Sequence, residues 1–261
     1  MPDFRRAPRL LMTPKVLVID FRPAAVPGGW FRSDQLIEKY IAAMRKASQN
    51  TLVYQVVDRV VAPKYPPLLG DRQYTDATWS QVLSDDKKAL RDKQGSYLLA
   101  DYEQIIQDFN LLQMVQGNHI DEVWMFGGPY FGFYESRMVG QNAFWVNAPG
   151  IERNCRRFIM MGFNYERSVK EMVHDFGHRA ESILAKQFDS QNFLQSCYAP
   201  QSSTMPATIP TPKNDFERFL LSQGTVHRRP GGVDYGQDEM AWVSALKPAW
   251  FPPCVDANKV T

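Results

Sequence analysis

The segment His174-Asp175-Phe176-Gly177-His178 sets two imidazoles four positions apart. On an α-helix, positions i and i+4 stand one above the other on a single face, which is why histidines at this spacing can share one zinc ion. In that motif a carboxylate beside the first histidine holds the attacking water. Here the neighbour is Asp175, one methylene shorter than glutamate and a weaker hold on a bound water. At about 100° per residue, with Phe176 at zero, Val169, Met172, Val173, Ala180, Ile183 and Leu184 fall within about 80° of it. His174, His178 and Glu181 project at about 160°, 200° and 140°, so three metal-ligand types share the face opposite the apolar stripe. His227, in Gly224-Thr225-Val226-His227, rivals Glu181 as a ligand from outside the helix. The alternative is a solvated polar face, as any surface helix carries. Gly177 argues against it, because a mid-helix glycine costs about 1 kcal/mol relative to alanine and implies close approach of another backbone or a ligand.

A second concentration of chemistry lies in Gly127-Gly128-Pro129-Tyr130-Phe131-Gly132-Phe133-Tyr134-Glu135-Ser136-Arg137. Aromatic faces beside polar groups hold sugar rings or extended peptides, although such rings can equally plug a core. Glu135 is the acid/base candidate of this loop, and Arg137 either orients a substrate carboxylate or pairs with Glu135. Tyr130, Tyr134, Arg137 and Arg179 are the expected substrate contacts. The glycines match neither G-x-G-x-x-G nor a P-loop, and no G-x-S-x-G occurs, so nucleotide binding and a serine nucleophile elbow have no support.

The elements that must position these groups read as α/β. Lys15 to Phe21 and Leu52 to Val61 are strand patterns separated by a helix from Ser33, with Ser33 or Asp34 as its N-cap, which makes a βαβ unit and a mostly parallel sheet. Ala62 to Gly95 reads as a surface excursion with a short helix near Thr75 to Leu83. Asp101 to Gln116 is one helical stripe, stopped by Gly117-Asn118, and Asp121 to Phe126 is the third strand. The aromatic loop then lies beyond a strand's carboxyl end, where open α/β sheets bind ligands. Ala143 to Val146 and Arg157 to Met161 are further short strands, Asn164 opens the longest helix, and Asp215 to Ser222 forms one more. The expected fold is thus a single α/β domain over 1–261, with a central mostly parallel sheet and flanking helices. Its main body is 14–188, its loop or linker 189–214, and 215–261 an irregular C-terminal segment packed on the body.

Composition closes off several classes. With 261 residues, 44% hydrophobic and 22% charged, the chain is neither disordered nor fibrous. Its 30 Lys+Arg nearly balance 28 Asp+Glu, so nucleic acid is not an expected partner. No apolar run approaches the roughly 20 residues of a membrane helix, and the N-terminal stretch has no signal-peptide core of roughly 7 to 15 apolar residues. The three cysteines, Cys155, Cys197 and Cys254, form no C-x-x-C pair; a Cys197–Cys254 bridge pinning the tail is one option, free thiols the other. His119, just before the third strand, reads as structural.

Taken together, DEVWMFGGPYFGFYESRMVG, AFWVNAP, RRFIMMGFNYERSVKEMVHDFGHRAES and GTVH resemble strings carried in the same order by an uncharacterised family of mostly bacterial, often exported proteins. The resemblance spans roughly Asp121 to His227. It implies a shared fold and a secreted location, and in that family the positions of His178, Arg179 and Glu181 recur more regularly than that of His174. HDFGH is also similar to the HEFGH helix of zinc metallopeptidases, with Asp175 as the departure.

Three functions follow as expectations. The first is a zinc-dependent hydrolase of peptide or glycan, with His174, His178 and either Glu181 or His227 as ligands to Zn2+ and Asp175 or Glu135 as general base. The second is a non-catalytic carbohydrate- or protein-binding module that uses loop 128–137. The third is a scaffold whose histidine face packs the C-terminal tail.

Overall fold

The computed structural model describes residues 11–198 and 210–226. Its centre is a six-stranded sheet of β1 (Lys15–Phe21), β2 (Gln55–Ala62), β3 (Glu122–Gly127), β4 (Ser136–Gly140), β5 (Ile151–Glu152) and β6 (Phe158–Asn164), in the order β2-β1-β3-β6-β4-β5. β2, β1, β3 and β6 are mutually parallel; β4 runs antiparallel to its neighbour β6, and β5 pairs parallel with β4. The expected α/β class with a mostly parallel sheet is therefore the observed one.

Every residue of β3 and six of the seven in β1 are buried, as a parallel strand covered on both faces requires. Alternation sends Leu17, Ile19, Phe21, Val123, Met125 and Met160 to one face. There they meet α2 (Asp76–Ser84), α3 (Tyr102–Asp108) and α4 (Leu111–Gln116) through Trp79, Ile105, Leu111 and Val115. Val16, Val18, Trp124, Phe126, Met161 and Phe163 go to the other face, against Leu36, Tyr40 and Met44 of α1 (Ser33–Ala47) and Met172 of α5 (Val169–Gln187). The result is a layer of helices on each side of the sheet.

Several boundaries differ from the sequence expectation, each for a local reason. Ser33 is the first residue of α1 rather than its cap; its hydroxyl is drawn away to Asp20 Oδ2 at 2.5 Å, and Arg32 occupies the N-cap. The 101–116 stripe is two helices, because Asn110 turns left-handed at φ 51°. The excursion 62–95 is not merely superficial: Tyr65, Leu68, Tyr74 and Trp79 are buried in the core, and the Trp79 indole donates to Pro129 O at 2.9 Å. Ala143 to Val146 forms no strand; the strands there are β4 and the two-residue β5, too short to show a period. Asn164 ends β6 opposite Gly127, and α5 starts five residues later. Within the expected linker, Gln191–Tyr198 is a helix, α6, held by buried Phe193, Leu194 and Cys197; α7 (Asp215–Gln223) packs on it through Phe216 and Leu220.

Candidate metal centre

Ser168 fixes where α5 begins. Its hydroxyl accepts from Lys170 N at 3.2 Å, while the Glu171 carboxylate accepts from the Ser168 backbone N–H at 2.7 Å, a capping box. From that start Val169, Met172, Val173, Phe176 and Ile183 all pack toward the sheet. The opposite face is covered as well, by α6 and by residues 224–226, so it is not the solvated surface of an ordinary amphipathic helix. His174 is only 6% exposed and His178 half-buried.

The two imidazoles meet edge to face, and their Nε2 atoms lie 3.0 Å apart. Zinc binds imidazole at about 2.0–2.1 Å, so two histidine ligands at the tetrahedral angle stand about 3.3–3.4 Å from each other. The observed spacing is a few tenths of an ångström shorter, that of a direct hydrogen bond between the rings. The third donor is Glu135, whose carboxylate completes a group with all ligand atoms within 4.8 Å of one another. It comes from outside the helix, as the residue before β4, and its backbone carbonyl accepts from Gly162 N at 3.2 Å. Glycine at 162 permits this approach: a Cβ there would stand 2.5 Å from both Phe133 Cβ and Tyr134 O. Burial raises the Glu135 carboxyl above the ordinary range, against the opposing pull of Arg167 and of the Asn147 amide, which donates at 2.5 Å.

Glu181 stands behind His178 rather than in that group. Its carboxylate is 3.8 Å from His178 Nδ1 and accepts from the Tyr198 hydroxyl and from the Val226 backbone N–H, the latter at 2.7 Å. Burial pushes its pKa up to about 7, against those two hydrogen bonds. A carboxylate on the far nitrogen of a ligand histidine orients the ring and raises its basicity. The space that Gly177 opens is filled by Val226, whose Cγ2 would be 2.7 Å from an added Cβ; the close neighbour anticipated from the sequence is a side chain, not a ligand. His227 and Cys254 lie outside the described residues.

The other expected site residues divide. Asp175 is buried and borders a cavity of about 250 Å3 together with Glu135, Tyr130 and Arg167. Tyr130 packs edge-on against Tyr97. Tyr134 lies against Tyr102, and Arg137 stacks over both rings while donating to Pro149 O at 2.9 Å; it does not pair with Glu135. Arg179 directs its guanidinium to Glu122 Oε1 at 2.6 Å, and the pair borders a further cavity of about 440 Å3 that the two histidines do not line. His119 is exposed in the turn before β3.

A larger cavity, about 620 Å3, opens over Glu135, His178 and Glu181 and is walled by Trp145, Asn147 and Tyr198. Those last three were not singled out by sequence reasoning. Tyr198 lies in a stretch dominated by Gln and Ser, Asn147 is a lone amide after the apolar run 143–146, and only the bulk of Trp145 next to Phe144 offered a signal. Among the described residues, no helix is long and apolar enough to cross a membrane. Comparison of the chain with protein-family models, curated proteins and solved structures returns no match.

Proposed function

We propose that the chain is a metal-dependent hydrolase acting on peptide or glycan. His174, His178 and Glu135 are the ligands, and the observation that carries the reading is the convergence of their donor atoms, with Glu135 and His178 on the wall of a cavity large enough for a substrate. These two histidines and one carboxylate would hold a zinc ion, which when bound would supply a water of lowered pKa. Glu181 and Tyr198 orient His178 from behind. With Glu135 in the ligand set, we assign Asp175, on the smaller cavity that Glu135 also lines, to take the proton of the water attacking the substrate carbon and to pass it to the leaving group as that bond breaks. The binding-module alternative draws less support from loop 128–137, since Phe131 is 1% exposed and Tyr134 is committed to Tyr102.

Elemental analysis of untagged protein equilibrated with zinc and then gel-filtered tests this. About one equivalent is expected in the native chain, and a small fraction of that in His178→Ala and Glu135→Ala. A native chain that elutes without stoichiometric zinc, manganese or iron would sink the reading.

A further inference from the structure

We infer that the larger cavity recognises the substrate through a sugar ring stacked on Trp145. This rests on the reading of that cavity as the substrate site, and it commits to glycan over peptide. Trp145 is 59% exposed, unusual for the largest apolar side chain, and no ring packs on it among the described residues. Its neighbour Phe144 is different: half-buried, with the Arg157 guanidinium over its ring at 5.6 Å. Tyr198, the third aromatic of the wall, is also half-buried and packs on His178, so among the described residues the indole is the exposed aromatic face of this cavity.

The groups around it are mainly neutral and bifunctional. Asn147, Gln191 and Gln195 carry amides that both donate and accept, and Ser182 adds a hydroxyl. Sugar hydroxyls also donate and accept, and a pyranose presents a C–H face flanked by a hydroxyl rim, so an aromatic plate bordered by amides suits it. Among the described residues, Lys186 is the only basic side chain besides His178 on this wall, so a carboxylate- or phosphate-bearing ligand has little there to hold it. The volume, about 620 Å3, lies within the usual range of about 300–1,000 Å3 for ligand cavities.

The test titrates the full chain, as purified and after EDTA, with chitotetraose, cellotetraose and tetra-alanine by calorimetry. At least one saccharide should bind, with affinity weakened about tenfold or more in Trp145→Ala and largely kept in Trp145→Phe, at unchanged thermal midpoint. Gln195→Ala should weaken the same saccharide without altering the fold. Preferential binding of tetra-alanine, binding of no probe, or full affinity in Trp145→Ala each overturns the inference. Metal content of the same samples separates the two readings. A chain with stoichiometric metal and no saccharide binding loses this inference alone. Saccharide binding through Trp145 without any metal keeps it and removes the hydrolase.

Discussion

His174 and His178 share one face of α5 with their Nε2 atoms 3.0 Å apart, and the carboxylate that completes the set comes from Glu135, the residue before β4, rather than from the same helix. Glu181, on the helix, instead backs His178 at 3.8 Å. The two carboxylates therefore have separable effects. Glu181→Gln should weaken zinc affinity by about 10- to 100-fold while leaving binding measurable, whereas Glu135→Ala should abolish stoichiometric binding. Competition against a chelating dye reads both; equal losses in the two variants would refute the division of roles.

Arg179 and Glu122 form a buried pair, with side chains 13% and 5% exposed, and Glu122 also accepts from the Trp124 indole at 3.3 Å. Removing one partner strands a charge in the core. Arg179→Met is expected to cost about 3–5 kcal/mol in urea unfolding, and Arg179→Met combined with Glu122→Leu to recover part of it. A stable Arg179→Met with reduced ligand binding would return Arg179 to the role of substrate contact.

The Tyr40 hydroxyl is buried among Tyr54, Trp124 and Phe163 and has no hydrogen-bond partner among the described residues. A buried polar group left unsatisfied costs about 1–3 kcal/mol. Tyr40→Phe should therefore stabilise the fold by about 1 kcal/mol, visible as a higher denaturant midpoint at unchanged slope.

Gly177→Ala sets two effects against each other. Alanine improves helix propensity by about 1 kcal/mol, but its Cβ would meet Val226 Cγ2 at 2.7 Å, closer than side chains pack. The clash should win, giving net destabilisation, and Gly177→Ala with Val226→Ala should restore the midpoint. If Gly177→Ala alone raises it, Val226 is not seated on the helix as described.

Glu217 anchors the start of α7. Its carboxylate accepts from Lys213 N at 2.5 Å and from the Ser190 hydroxyl at 2.8 Å, and the Lys213 bond leads in holding its pKa below the ordinary range. A folded pKa below the unfolded one adds stability that is present above about pH 4.3 and lost as pH falls through the folded value. Thermal melts from pH 6 down to 3 should fall less steeply for Glu217→Gln than for the native chain; parallel slopes would exclude this contribution.

The sequence made the central architecture legible where one period dominates. Lys15 to Phe21 is an observed strand to the residue, and the stripe through Met172 and Phe176 faces the sheet as its spacing requires. It failed where structure is set by single contacts. Nothing in the periodicity of 101–116 reports a left-handed Asn110, and β5 is too short to carry a pattern. The histidine pair was readable from i, i+4 spacing, and Glu135 from its place in an aromatic loop. Their meeting was not, because it depends on β4 running antiparallel beside β6, a pairing that local sequence does not encode. Tyr198 was hidden for the same reason, since its role comes from α6 folding back along α5.

The antiparallel entry of β4 also has a kinetic meaning. Both histidines belong to a helix whose turns can form locally, while Glu135 reaches them only after β4 has registered against β6, with Ser136 opposite Met161. The three-donor group is therefore absent from any partly folded chain that lacks that long-range pairing. Metal capture during refolding would mark when β4 joins the sheet beside β6, making a bound ion a clock for assembly.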